Sequence, residues 1–225
     1  MTDPTATRRR LSTHFQLYSF DVASLLPSDW ESRLIEIAKR QGTLSRLDGA
    51  STTSRERQFQ SNIPSTVTVV DGIALAKVVP WLFSLYHGDF LQLVNSLELG
   101  TFVSSTDVRS AINLNCQGEG ERYEWHVDSN PLTGVLLAST AGPEDGGELV
   151  FVPDPDSPVA TQDWEVRVPA EAGTLLLFDA RCVAHTVEPV CAKQPRVSVP
   201  MNYYFADGGV QRPTDLDPYL YEVPR

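Results

Sequence analysis

The stretch AGTLLLFDARCVAHTVEPV, residues 172–190, holds two short apolar runs on either side of a polar turn. Runs of this length that are rich in Leu, Val and Thr and bounded by glycine or aspartate are typical of β-strands. Five further runs of the same kind lie around it, starting at about Val108: VRSAINLNC, TGVLLAST, GGELVFV, WEVRVP and RVSVPMNYYF. This spacing predicts seven or eight antiparallel strands in a sandwich or barrel.

The N-terminal third has a helical pattern instead. In PSDWESRLIEIAKRQG, residues 27–42, Ser28 and Glu31 have the spacing of a capping box, and apolar residues recur at helical intervals. The later segment DGIALAKVVPWLFSLYHGDFLQLVNSLELG reads as two helical pieces divided near Pro80.

The whole chain, residues 1–225, is predicted to form one domain. Its helical support would cover about residues 25–100, and its β-barrel core about residues 108–206. The polar loop at 48–63 is expected to lie over the functional site. Its arginines could meet a substrate carboxylate, although a solvated charge run is favoured. The proline-rich tail at 207–225 is expected to be irregular, either packed by its tyrosines or partly disordered.

Composition narrows the classes of function. The 225 residues carry a formal net charge of −11, which argues against a nucleic-acid partner because phosphate binding needs clustered basic residues. The basic run Arg8–Arg10 reads as a solvated tail. No window approaches the roughly 18 apolar residues of a membrane span, so a soluble, cytoplasmic protein is expected. Cys116, Cys182 and Cys191 lack C-x-x-C spacing and are expected to be reduced thiols.

Three residues form a candidate metal site. In a strand, residues i and i+2 share a face, so His126 and Asp128 in YEWHVDSNPLTG could converge on one ion. His185 follows an apolar strand and could join them, although a satisfied core histidine is the alternative. Two histidines and one carboxylate suit non-heme Fe(II), because they leave coordination positions open. His14 and His87 lie in regions without matching spacing.

The run RVSVPMNYYF indicates an anion site. Alternation places Arg196, Ser198, Asn202 and Tyr204 on one face and apolar residues on the other. An inward guanidinium without a partner would be costly, so a dicarboxylic co-substrate is expected on Arg196, assisted by Ser198. The alternative is an internal salt bridge.

A second polar face lies in the run AINLNCQGEGERY. Asn113, Asn115 and Gln117 alternate with apolar residues, so their amides share one side of the strand. They could bind a co-substrate or substrate, or serve as structural amides at the end of the sheet.

Four segments in order, GEGERYEWHVD, DGGELVF, AGTLLLFDARCVAHTVEPV and RVSV, resemble the 2-oxoglutarate- and Fe(II)-dependent dioxygenases, specifically the prolyl 4-hydroxylase-like branch. The resemblance covers roughly residues 108–206. It implies a double-stranded β-helix, a jelly-roll or cupin-like core buttressed by helices. It also implies Fe(II) as cofactor, 2-oxoglutarate and O2 as co-substrates, and ascorbate as a reductant.

Carried over to this sequence, the resemblance makes His126, Asp128 and His185 the iron ligands and Arg196 the partner of the 2-oxoglutarate C5 carboxylate. Related enzymes often have a tyrosine where this chain has Gln117. The remaining co-substrate contacts are therefore assigned to four residues together: Asn115, Gln117, Thr133 and Ser198. The presence of Asp128 favours hydroxylation over halogenation, since related halogenases lack this carboxylate.

The expected function is hydroxylation of an unactivated C–H bond in a small molecule, either a free amino acid or a natural-product intermediate. Desaturation or ring formation would use the same residues. Three alternatives stay open: hydroxylation of a protein-bound residue such as proline, a non-catalytic cupin-like metal-binding barrel, and a sensor that binds 2-oxoglutarate. Neither nucleic acid nor membrane is expected as a partner, and the oligomeric state is open.

Overall fold

The longest strand, Arg196–Phe205, runs through the middle of the larger of two antiparallel sheets. The computed structural model describes residues 7–157, 163–181, 183–209 and 212–221. The strands are β1 Arg8–Arg10, β2 Leu17–Asp21, β3 Thr43–Leu47, β4 Ser65–Val70, β5 Phe102–Ser104, β6 Leu114–Gln117, β7 Leu132–Leu137, β8 Leu149–Pro153, β9 Val166–Val168, β10 Thr174–Phe178, β11 Val183–Val187 and β12 Arg196–Phe205. The helices are α1 Trp30–Gln41, α2 Glu56–Phe59, α3 Gly72–Val78, α4 Pro80–His87, α5 Asp89–Asn95, α6 Val108–Ala111 and α7 Leu216–Tyr221, with a 3-10 turn at Ala23–Leu25.

The two sheets face each other and enclose the barrel core. The larger sheet has the order β1-β2-β10-β7-β12-β6-β4-β3, with β5 also paired to β12, and the smaller has the order β11-β8-β9. Side chains of both sheets meet in one apolar cluster, to which β7, β8 and β10 contribute Val135, Phe151 and Phe178. Each strand gives alternate residues to this cluster, because side chains on a strand alternate between faces.

The opposite face of the larger sheet is covered by helices. Val197, Val199 and Met201 of β12 share a second apolar cluster with residues of α1, α4 and α5, among them Leu34 and Phe90. The predicted jelly-roll core supported by helices is confirmed. All seven apolar runs quoted from the C-terminal part contain a strand, from β6 to β12.

Several N-terminal details differ from the sequence prediction. Helix α1 begins at Trp30, whose amide donates to the Pro27 carbonyl, so Ser28 lies before the helix and the capping box is wrong. The expected two helices around Pro80 are three, because Gly88 separates α4 from α5.

Strands also occur where only helices and tails were expected. Strands β3 and β4 interrupt the helical region and extend the larger sheet. The basic run Arg8–Arg10 is exposed as predicted, but it forms edge strand β1 rather than a tail because it pairs with β2.

The C-terminal tail was expected to be irregular, and its described part instead contains helix α7. It is packed by its tyrosines, as predicted, because Tyr219 and Tyr221 lie against Leu47, Val67 and Val69. Apolar contact with the sheet thus stabilises a helix that is too short to be stable in isolation.

Cys116 and Cys191 are free thiols, as predicted, and Cys182 lies outside the described residues. Within the ranges given above, no helix has the length and apolar content needed to cross a membrane. The cytoplasmic location and the single-domain organisation stay predictions.

Candidate active site

Backbone pairing brings His126 against His185. Each amide donates to the other residue's carbonyl, with N–O distances of 3.0 Å and 2.9 Å, and the two ring centroids are 4.1 Å apart. On its other side His126 forms a bridge with Ser54. The segment around His126 was expected to be a strand, but it contains only these isolated bridges. Two neighbouring segments therefore position His126.

The three predicted ligands lie together. Asp128 Oδ1 is 3.5 Å from His126 Nε2 and 3.7 Å from His185 Nε2, and the three ligand atoms lie within 4.8 Å of one another. Two ligands about 2.1 Å from one ion are separated by about 3.0–3.4 Å at octahedral to tetrahedral angles. The donor set therefore fits a metal ion after small adjustments. Across the described ranges it is the one such cluster.

Burial and neighbouring charges shift the pKa values of all three predicted ligands. Burial alone would lower the pKa of His126, but its contact with Asp128 raises that pKa. His126 Nδ1 lies 2.9 Å from the Glu124 carbonyl, so Nδ1–H can donate and leave Nε2 for an ion. Burial lowers the pKa of His185 to about 3, which keeps this ring neutral at pH 7. Burial would raise the pKa of Asp128, but the adjacent histidines and two hydrogen bonds hold it well below its usual range.

A short chain of hydrogen bonds fixes the Asp128 carboxylate. The Thr133 hydroxyl donates to Asp128 Oδ2 at 2.5 Å and accepts from Asn130 Nδ2 at 2.9 Å. Asn130 also donates to the Leu132 carbonyl at 2.6 Å. Thr133 was assigned by sequence to the co-substrate, but it contacts the carboxylate of Asp128. Together, His126, Asp128 and His185 are called the metal group below.

Arg196 is buried in the same pocket. Its Nε donates to the Gly147 carbonyl at 2.7 Å, and one terminal nitrogen donates to Ser198 Oγ at 2.9 Å. Gly147 has a φ of +71°, and a Cβ there would lie 3.0 Å from Arg196 Cδ, so this close approach needs glycine. Among the described residues no carboxylate lies within 4.0 Å of the guanidinium. The internal salt bridge considered for Arg196 is not found there.

The guanidinium stays charged although it is buried. Burial lowers the pKa of Arg196 to about 10, still well above neutrality. A buried cation without a counter-ion is costly, and it is therefore a strong receptor for an anion that enters the pocket.

The side-chain amides of Asn113, Asn115 and Gln117, which lie in β6 or directly before it, have different contacts. Gln117 Oε1 accepts a long, 3.5 Å hydrogen bond from Arg196, while its Nε2 is buried without a partner among the described residues. Asn115 lines the pocket, whereas Asn113 is hydrogen-bonded to the Tyr221 hydroxyl at 2.9 Å. Gln117 therefore offers a free donor beside Arg196.

The remaining histidines stay away from the metal group, as predicted. His14 stacks on Trp164 and His87 Nδ1 lies 2.5 Å from the Ser104 hydroxyl.

Residues 112–204 match the family described as "2OG-Fe(II) oxygenase superfamily". This span contains the complete metal group and Arg196. The barrel core thus matches the 2-oxoglutarate/Fe(II) oxygenase superfamily over these residues. Fe(II) and 2-oxoglutarate are accordingly the cofactor and co-substrate of its chemistry. No curated protein sequence matches the chain.

Several solved structures have the same fold as this chain. AviO1 from Streptomyces viridochromogenes Tue57 is 18% identical with a TM-score of 0.63, covering 92% of this chain and 100% of that one. The non-heme alpha-ketoglutarate-dependent carbocyclase SnoK from nogalamycin biosynthesis is 16% identical with a TM-score of 0.63, covering 96% and 89%. The epimerase SnoN of the same biosynthesis is 17% identical with a TM-score of 0.57, covering 84% and 76%. The prolyl 4-hydroxylase-like branch stays a prediction.

Ion pairs of Arg55 and Glu56 hold the loop at 48–63 in place. Arg55 Nε lies 2.8 Å from Asp154 and 3.1 Å from Asp156, so the prediction that this arginine is solvated, or free to meet a substrate, is wrong. Its partners lie too far along the chain for the local pattern to reveal them. Glu56 pairs with Arg122 and also accepts from the Trp125 amide at 2.9 Å. The loop is thus fastened to the residue that precedes His126.

The C-terminal segment Arg212–Tyr221 contributes pocket residues that the sequence analysis missed. Arg212, Leu216, Tyr219, Leu220 and Tyr221 all line the pocket that contains the metal group. Leu216, Tyr219 and Leu220 are spaced at helical intervals, so the sequence pattern could have indicated a helix with one face towards the pocket. Glu124 and Tyr123 beside His126 also line the pocket.

We expect Glu56→Gln to destabilise the fold by about 3 kcal/mol, because Arg122 is only 4% exposed and would lose its buried counter-ion. Urea unfolding measures this change. The matched control is Glu36→Gln, which removes an i,i+4 pair with Arg40 that is 56% and 74% exposed and should change stability by less than about 0.5 kcal/mol. Equal effects for the two variants would contradict the clamping role of Glu56.

Proposed function

We propose that the chain is an Fe(II)- and 2-oxoglutarate-dependent oxygenase that hydroxylates an unactivated C–H bond of a small molecule. His126, Asp128 and His185 would bind the iron, and Arg196 would bind the far carboxylate of 2-oxoglutarate. One observation carries the proposal: a buried guanidinium, which no carboxylate of the described ranges neutralises, lies in the same pocket as two histidines and a carboxylate. A purely structural metal site has no need of that cation.

The iron, with 2-oxoglutarate and dioxygen, supplies the oxidising chemistry. The chain holds the donor atoms and keeps water from the pocket. Thr133 keeps one oxygen of Asp128 occupied through its hydrogen bond, which leaves the other oxygen to face the two histidines. The buried walls also reduce side reactions of the oxidant with solvent.

Removal of a ligand is the first test. In anaerobic calorimetry, His126→Ala and Asp128→Ala should each weaken Fe(II) binding by more than about 100-fold. Loss of a residue that only supports a metal ligand typically costs no more than that. His87→Ala, which alters a histidine on the helical side, should bind iron like the unmodified protein. If the ligand variants bind iron normally, the assignment of the metal site is wrong.

Arg196→Gln should weaken 2-oxoglutarate binding by about 30-fold or more, because a buried charge pair is worth at least about 2 kcal/mol when one partner is lost. The measurement is a titration of 2-oxoglutarate into protein loaded with Mn(II) under nitrogen. Gln117→Leu should have a smaller effect, since only one neutral donor is removed. Arg40→Gln, whose side chain is 74% exposed on α1, is the control. An unchanged affinity in Arg196→Gln would remove the basis for the proposal.

The shape of the pocket favours a small substrate over a protein-bound residue. The loop at 48–63 contributes Thr53, and the segment Arg212–Tyr221 contributes five lining residues. A polypeptide would have to displace one of these walls. SnoK and SnoN, two of the proteins that share the fold, belong to nogalamycin biosynthesis, and a SnoN structure contains Fe3+, alpha-ketoglutarate and nogalamycin RO. A natural-product intermediate or a free amino acid is therefore the preferred substrate class.

Turnover gives the decisive readout. Protein purified anaerobically and supplied with Fe(II), 2-oxoglutarate, ascorbate and oxygen should form succinate faster with a pool of small metabolites. The increase should be absent in His126→Ala. Binding of 2-oxoglutarate without succinate under any pool would favour a sensor, and stimulation by a protein substrate alone would favour the protein-hydroxylase alternative.

A further inference from the structure

The charged side chains that line the pocket have separate partners. Asp128 belongs to the metal group and Arg196 lies at the proposed co-substrate end. Glu124 accepts a hydrogen bond from the Ser54 hydroxyl and is also bonded to Tyr219. Apart from the metal-site histidines, the remaining charge on the described wall is Arg212.

Arg212 is only partly used by its neighbours. Its Nε and Nη2 both donate to Asp217 Oδ1, at 3.1 Å and 2.8 Å. Among the described residues Nη1 has no hydrogen-bond partner, and no second carboxylate lies within 4.0 Å. The Arg212 side chain is 15% exposed, whereas Asp217 is 44% exposed. A partly buried guanidinium is thus paired with a carboxylate that water can still reach.

We propose that Arg212 binds a carboxylate of the substrate and so selects an acidic small molecule. This inference rests on the proposed oxygenase function. A guanidinium recognises a carboxylate through two parallel N–H donors, and Arg212 can present Nη1 together with Nη2. The substrate would then lie between Arg212, on the C-terminal segment, and the metal group on the barrel.

The surroundings of Arg212 suit this role. The Tyr204 hydroxyl is buried without a hydrogen-bond partner among the described residues. Burial raises the pKa of Tyr204, and the charge of nearby Arg212 acts against that rise. Tyr221, whose hydroxyl is bonded to Asn113, also lies within the electrostatic reach of Arg212. Arg212 and Tyr221 both line the pocket, so an incoming carboxylate would meet the cation in a wall that also presents a tyrosine.

Asp217 would act as the internal competitor of the substrate. A pair in which one partner is 44% exposed is weakened by water and salt. Exchange of the Asp217 carboxylate for a substrate carboxylate keeps the guanidinium neutralised, so substrate entry leaves no buried charge unpaired. The exchange occurs in the segment that also carries Tyr219 and Tyr221 into the pocket.

The test compares acids with their carboxamides. A panel of free amino acids, hydroxy acids and aromatic acids, each beside its carboxamide, is assayed for stimulated succinate formation and for calorimetric binding to Mn(II)- and 2-oxoglutarate-loaded protein under nitrogen. We expect responses to acids and at least tenfold weaker responses to the amides. Arg212→Gln should raise KM for the responding acid at least tenfold while kcat changes little, and Arg212→Lys should recover part of the affinity.

Asp217→Asn separates recognition from structure. If Asp217 competes with the substrate, this variant should bind the acid as tightly as the unmodified protein or more tightly. If the pair only holds the segment, Asp217→Asn and Arg212→Gln should be equally impaired, and the inference fails. It also fails if amides respond like acids, or if no acid of the panel responds while 2-oxoglutarate binds normally. Loss of 2-oxoglutarate binding by the unmodified protein would instead overturn the proposed function.

Discussion

The geometry of the pocket depends on two backbone hydrogen bonds, in which His126 and His185 each donate to the other. His185 lies in β11, an edge strand of the smaller sheet, and His126 lies in an irregular segment that adds one bridge to that edge. The pairing holds the two backbone segments together, and the two ring centroids lie 4.1 Å apart. Pre-organisation of this kind avoids the entropy loss of collecting three ligands at the moment of binding. The loop around Ser54 supports His126 from its other side.

Burial of Arg196 sets a second constraint, because none of the described residues supplies a carboxylate to this buried cation. The Gly147 carbonyl, Ser198 and Gln117 satisfy part of its donor capacity, but none of them is charged. Natural proteins break such local rules mainly at functional sites. A dicarboxylate that neutralises Arg196 would therefore stabilise the folded protein as well as occupy the site. Stability and co-substrate binding are coupled through one side chain.

The sequence predicted the elements whose pattern is local. Alternation along β12 separated Arg196 and Ser198 from Val197 and Val199, and the structure has the two pairs on opposite faces. The β-branched run STVTVV carried a comparable strand signal for β4, but the surrounding helical pattern outweighed it. The ion pair of Arg55 could not be predicted, since its acidic partners are remote in sequence and meet it only after the barrel closes.

The residues proposed for chemistry and those proposed for substrate selection lie in different parts of the chain. Residues 112–204 hold the metal group and Arg196, while the loop at 48–63 and the segment Arg212–Tyr221 form much of the outer wall. These two outer elements bind each other, because Asp215 accepts from the Thr52 amide and hydroxyl, and Tyr219 accepts from the Gly49 amide. A change in the position of one element therefore alters the hydrogen bonds that hold the other. Under the proposed function, the substrate range would vary through these paired elements while the barrel that would hold the iron and co-substrate stays intact.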